Sequence, residues 1–255
     1  MLYIEGAAGI SGDMTVGALL SLGPAVPASK HDRGSLLREA LESLRLAGEF
    51  TYEISEKTSY GIAGTDFDVI LPHHYSSHHY HHEHRNLADV EAIIDRGQMS
   101  DRARALAKKA FRFVAEAEAK AHGKPIDEVH FHEVGAIDSI VDIVSAAVLF
   151  DDLGETECVV TGLTEGTGTV MCAHGELPVP VPAVVNIAAA TGVPLRPSET
   201  KGECVTPTGI ALAAAFRTRD TLPPAYRVLG VGTGLGKRDY GRPAILRILR
   251  IEAIP

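Results

Sequence analysis

The sequence predicts an α/β or α+β fold, a mixed β-sheet with flanking helices, on three observations. Short apolar or alternating stretches at residues 2–5, 51–71, 158–161, 166–171, 226–231 and 244–251 have the length and pattern of strands. Segments of helical period lie between most of them, several opened by a capping side chain and closed by glycine. No internal repeat or low-complexity linker divides the 255 residues, and a hydrophobic share of 45% is ample for a core. Residues 1–255 therefore read as a single domain.

Residues 2–5 run into a glycine-rich turn, Gly6 to Gly12, before a periodic apolar segment at 14–22, which gives strand, tight loop and helix. Such a loop turns N–H groups toward a helix N-terminus and suits a phosphate, although the Lys-Ser/Thr pair of a P-loop is missing. Asp13 stands where a first-turn carboxylate stabilises a helix, and contact with metal or substrate is the sharper alternative. Ser35 is expected to cap a helix carrying Leu36, Leu37, Ala40, Leu41 and Leu44. Residues 51–71 alternate around Gly61 and Gly64 as two antiparallel strands. Asn86 caps a helix over 87–94, and Ser100 caps a long one that ends at Gly123 with Pro125 beyond.

Residues 129–154 are the second informative stretch. His130 and His132 share one face of an extended strand, with Glu133 on the other, and a turn at Gly135 would bring all three together. Asp138 and Asp142 are four apart at the start of a strongly apolar helix, so they form one polar patch at its mouth; helix capping and ligand contact both account for them. Downstream, Cys172 reads as structural and His174 stays open, and the prolines after Leu177 fix an extended crossing into a helix near Ala183. Thr206 caps an Ala-rich helix, and the glycine-rich turn from Gly232, with Lys237, Arg238 and Arg242, is either an anion-facing loop or a plain hairpin bend, the latter favoured slightly because no helix follows it.

Between the strands at 51–71 and the helix at Leu87 lies HHYSSHHYHHEHR, which holds seven of the twelve histidines. No core needs such a tract. Pro72 before it argues for a sheet-end loop, and its internal, interrupted sequence is unlike an expression tag. Neutral imidazoles suit nickel, copper, zinc or cobalt rather than magnesium or calcium.

The formal charge of −9 and the lack of a basic stripe set nucleic acid aside as a partner. Three well-separated cysteines indicate a reducing compartment, and no apolar run approaches the ~18 residues that span a bilayer, so a cytoplasmic protein without membrane contact is expected.

The segments GISGDM (9–14), HHYHHEHR (78–85), HFHEVGAIDSIVDI (130–143), CAHGELPVPVPA (172–183) and TPTGIAL (206–212), in this order, resemble the LarC family of nickel insertion proteins over nearly the whole chain. The resemblance implies a lyase-type nickel chelatase that places nickel between two thiocarboxylate sulfurs and a ring carbon of pyridinium bisthiocarboxylic acid mononucleotide, completing the cofactor of lactate racemase. It implies CTP with a divalent metal as co-substrate. The family's C-terminal domain, associated with nucleotide binding and oligomers, is expected to be absent here, and a separate C-terminal polypeptide beside the last strand, or a homo-oligomer, is expected to supply it. On this reading Asp13, Glu133 and Asp138 are catalytic, Gly9, Ser11, Gly12 and His174 bind the organic cofactor, and His78, His79, His81, His82, His84, His130 and His132 hold metal. A non-catalytic nickel or zinc storage or delivery protein is the alternative. A metal-dependent hydrolase using Asp13, His130, His132 and Asp138 also fits the residue types but lacks its signature.

Overall fold

The chain order begins with β1 (Leu2–Gly6), α1 (Gly12–Ser21) and α2 (Arg33–Ser43), followed by a hairpin of β2 (Thr51–Ser59) and β3 (Ile62–Ile70). Three helices come next, α3 (Leu87–Arg96), α4 (Asp101–His122) and α5 (Ile137–Asp152). Then follow β4 (Cys158–Thr167), a ribbon of β5 (Thr169–Cys172) and β6 (Gly175–Pro178), α6 (Pro182–Thr191) and β7 (Leu195–Lys201). The last elements are α7 (Pro207–Phe216), β8 (Tyr226–Leu235) and β9 (Ile245–Ala253). The computed structural model describes residues 1–23, 32–72, 85–129, 131, 137–172 and 174–254.

Several boundaries follow from the local chemistry anticipated above. Asn86 closes a full capping box with Asp89, Ser100 accepts the Ala103 amide at 3.0 Å, and Gly123 ends α4 in the left-handed region at φ 64°. Thr206 accepts the Gly209 amide at 3.1 Å. The start of α2 differs from expectation. Asp32, not Ser35, is the cap, because Arg33 is drawn into the helix by tertiary bonds: its Nε meets Asp152 at 3.1 Å and its Nη1 donates to the Leu19 carbonyl at 2.9 Å. The stretches at 158–161 and 166–171 also differ, since the first belongs to one continuous strand through Thr167.

The seven-stranded sheet has the order β2-β3-β8-β9-β1-β4-β7. β1, β4, β7 and β8 run one way and β9 runs against them; β3 joins through a single parallel bridge, Thr65 with Gly234. The last strand therefore has both edges paired, by β8 and β1, and cannot receive a partner alongside; among the described residues the sheet ends at β2 and β7. Leu2, Ile4, Leu246 and Ile248 point into the main core with the helices, while Tyr3, Val159, Leu249 and Ile251 form a smaller cluster on the opposite face. This is the two-residue alternation of strands buried on both sides.

Two contacts fix α1. Gly230, Gly232 and Gly234 recur every second residue on β8 and face α1; added Cβ atoms at Gly232 and Gly234 would collide with the carbonyls of Ala18 and Met14. The glycine pattern thus lets helix and strand backbones touch. At its N-terminus, α1 meets α5, where Gly12 leaves space that the Asp142 carboxylate fills.

Candidate functional site

The ends of β1 and β8 lie side by side across β9, so the loop that opens α1 and the turn that follows β8 face each other. Crevices at strand carboxyl ends are the usual ligand sites of such sheets. Here a pocket of about 240 Å³ is lined by Ser11, Asp13, Glu203, Cys204, Lys237 and Tyr240, among others.

Asp13 is fixed from one side. Its Oδ1 accepts the Ser11 hydroxyl and, at 2.8 Å, the Met14 amide, while its Oδ2 stands 3.9 Å from Lys237 Nζ. Lys237 is also paired with Asp68, and the neighbouring Asp66 is bound to Lys57 at 2.5 Å. Burial raises the pKa of Asp13 above the ordinary carboxylate value, against the lowering effect of the Ser11 hydroxyl and Lys237. Asp138 is raised as well, by burial first, although the Ser139 amide donates to it at 2.7 Å. Asp142 is held well above the usual range by burial and then by the charges of Asp13 and Asp138, and its buried Oδ1 has no hydrogen-bond partner among the described residues. Burial disfavours the charge on Lys237, yet Asp68 and Asp13 outweigh it and raise its pKa.

Three carboxylates with raised pKa around one lysine hold protons more readily than ordinary carboxylates do. Among the described residues, no group of three or more His, Cys, Asp or Glu is arranged to hold a metal ion.

A further carboxylate fixes the segment that carries Glu203 and Cys204. Glu165 is buried, and its Oε1 accepts the amides of Gly166, Cys204 and Val205 at 2.7, 2.8 and 3.1 Å. Burial raises its pKa against those three donors. This clamp holds the segment after β7, which in turn pairs with the turn after β1: the Ile10 amide donates to the Cys204 carbonyl at 2.9 Å and the Thr206 amide to Ile10 at 3.0 Å. Gly9, at φ 101°, faces the Cys204 carbonyl where a Cβ has no room.

Of the residues selected from sequence, Asp13 and Asp138 come together, with Gly9, Ser11 and Gly12 in the adjoining turn. His174 lines a different cavity, beside His122 and Cys172. Glu133, His78, His79, His81, His82, His84, His130 and His132 lie outside the described residues. The residues flanking them are informative. Phe131, between His130 and His132 in sequence, donates its amide to the carbonyl of Arg85, the residue after His84, at 3.1 Å. Asp66, Asp68, Glu165 and Glu203 were not evident from the sequence; the Asp66-Phe67-Asp68 alternation on a strand was the available signal.

The family described as nickel insertion protein matches residues 2–253. The chain belongs to that family. A nickel insertion family member from Alkaliphilus metalliredigens (strain QYMF), named pyridinium-3,5-bisthiocarboxylic acid mononucleotide nickel insertion protein, is 49% identical over 262 residues, covering 98% of this chain and 60% of the relative. A protein of the same name from Acetivibrio thermocellus is 42% identical over 252 residues, with 98% and 60% covered. A relative from Geobacter sp. (strain M21), named putative nickel insertion protein, is 42% identical over 248 residues, with 97% and 60% covered. The chain thus spans about 60% of the length of these nickel insertion proteins. No solved structure matches it.

Proposed function

We propose that this chain acts in the insertion of nickel into pyridinium bisthiocarboxylic acid mononucleotide, receiving the metal on its histidines and taking up the displaced ring proton on its carboxylates. The observation that supports this best is the cluster of Asp13, Asp138 and Asp142 around Lys237, at the mouth of the helix that follows the His130–Glu133 sequence. Forming a bond from nickel to a ring carbon breaks a C–H bond, and its electron pair passes to the metal. The proton then needs a base. Two thiocarboxylate sulfurs supply the other ligands, so no oxidant or reductant enters the balance.

Asp13 is assigned the base role because Ser11 and the Met14 amide hold Oδ1 and leave Oδ2 toward the pocket. Asp138 and Glu133 share the acid–base work. Ser11 faces the organic ligand from the pocket wall, while Gly9 and Gly12 act by close packing. His78, His79, His81, His82 and His84 collect nickel, and His130 and His132 pass it on; exchange among redundant imidazoles keeps the metal transferable.

CTP with a divalent metal is assigned to a separate polypeptide or to sequence corresponding to the rest of the relatives' length. At the turn of Gly6 to Gly12 the Gly9 and Ile10 amides are already spent on Gly6 and Cys204, which does not fit a triphosphate cradle. No helix among the described residues is long and apolar enough to cross a membrane. A cytoplasmic site of action is part of the same proposal.

The test is single-turnover metallation of the precursor by tag-free protein, with CTP and the C-terminal polypeptide of a relative added. Nickel appearing in the small-molecule fraction supports insertion. Nickel retained on the protein, with Asp13→Asn as active in uptake as the parent and no metal transferred by either, would establish storage instead.

A further inference from the structure

A cavity of about 360 Å³ adjoins the carboxylate pocket, and Glu203 and Arg238 line both. The C-terminal turns of α4 contribute Glu118 and His122, and the β5–β6 ribbon contributes Met171, Cys172, His174 and Leu177. Its volume is at the scale of sites for small organic ligands, roughly 300–1,000 Å³, and its mixture of apolar walls with a few convergent polar groups is also typical of them.

The polar groups have a defined arrangement. The rings of His122 and His174 stand 5.0 Å apart, inclined at 44°, and His122 Nε2 lies 3.4 Å from Glu118 Oε2. Arg238 Nη2 pairs with Glu203 Oε2 at 3.2 Å, and its Nη1 donates to the Glu203 carbonyl at 3.3 Å. Glu203 is buried, so the guanidinium is held in the wall between the two cavities. Pro182 and Pro207, each in the first turn of its helix, bring the positive ends of α6 and α7 to the same space. Met171 is 74% exposed at the rim, an apolar side chain uncovered next to an apolar opening.

We infer that this cavity binds the organic ligand, an anionic pyridinium mononucleotide, and that Arg238 reads the acidic substituent of its ring. The inference rests on the nickel-insertion reading for the class of ligand, and on the cavity for the place. A flat aromatic ring packs against Met171, Leu177 and the two imidazoles. Glu118 and Glu203 complement the positive ring nitrogen. The guanidinium of Arg238, half exposed and with more N–H groups than the two given to Glu203, complements a carboxylate or thiocarboxylate. Because Arg238 stands in the shared wall, a ring substituent bound there is directed toward the pocket of Asp13, where the metallated carbon has to meet a base.

Nicotinic acid mononucleotide and nicotinamide mononucleotide make a matched pair of probes, differing in a carboxylate against a neutral amide on the ring. Calorimetry on the metal-free full chain is expected to show the acid binding about tenfold or more tightly than the amide, the effect of one charge-assisted pair. Arg238→Ala is expected to erase that preference, and Arg238→Lys to keep part of it, with melting of both variants checked against the parent. Ring-proton signals of His122 and His174 should shift when the acid is added. Equal affinity for the two probes, a preference that survives Arg238→Ala, no binding at millimolar probe, or shifts confined to other residues would each overturn the assignment. Loss of nickel transfer with probe binding intact would instead count against the nickel-insertion reading and leave the cavity assignment standing.

Discussion

The amide of Phe131 donates to the carbonyl of Arg85 across 3.1 Å, joining the sequence around His130 and His132 to the residue that closes the His-rich tract. Arg85 is itself held, its Nη2 meeting Glu49 at 2.8 Å. Two segments that are far apart in sequence are therefore tied at their bases, and α5, which carries Asp138 and Asp142, begins six residues after Phe131.

The tract should take up nickel in a pH-dependent manner. Replacing His81, His82 and His84 together by Ala is expected to lower nickel stoichiometry in calorimetry. Affinity in the parent should fall below about pH 6.5, because imidazole ligates only when neutral.

Asp13→Asn should separate uptake from transfer. Nickel stoichiometry is expected to stay at the parental value while metallation of the precursor falls about 100-fold or more, the scale of a lost general base. Metal analysis of protein and small-molecule fractions reads both quantities at once.

Asp142→Asn is expected to raise the melting temperature at neutral pH and to lose that advantage toward pH 4. The sign follows from linkage: the folded protein holds the Asp142 proton more tightly than the unfolded chain does. The parent's stability from this group is complete below the unfolded value of 3.8 and is lost as pH rises through the raised folded value. Melting curves of both proteins across that interval measure it, and parallel curves would contradict the assignment.

Glu165→Ala removes one acceptor from three buried amides and is expected to cost about 3 kcal/mol in denaturant unfolding. Glu165→Gln keeps an oxygen for them and should cost less. Gly234→Ala, which drives a methyl into the Met14 carbonyl, is expected to cost about 1–3 kcal/mol and to displace Asp13 with the start of α1.

What the sequence made legible was mainly local. Asn86, Ser100, Gly123 and Thr206 announce helix ends because a cap acts within three or four residues, and each is found in that role. The i, i+4 spacing of Asp138 and Asp142 correctly put them on one face. Local pattern favours Ser35 as the cap, whereas the bonds that make it Asp32, from Arg33 to Asp152 and Leu19, come from elsewhere in the fold. Lys237 was visible as a cation in a glycine-rich bend, but its pairing with Asp13 and Asp68 depends on strand order, which alternation does not encode. The same holds for Glu165, whose three partners belong to segments separated by β7. Gly232 and Gly234 were readable as part of a glycine-rich bend; that they seat α1 together with Gly230 was not.

β9 lies in the middle of the sheet, paired on one side with β1 and on the other with β8. On a ribosome, then, the stretch containing Asp13 emerges early and the stretch containing Lys237 late, and the sheet that sets the spacing of β1 and β8 is complete only when residues 245–253 have followed. Synthesis at about 5–20 residues per second makes that interval roughly ten to fifty seconds for this chain. The histidines are synthesised well inside that interval. The two sides of the pocket that holds Asp13 and Lys237 are thus separated in synthesis by nearly the whole chain, with the histidines made in between.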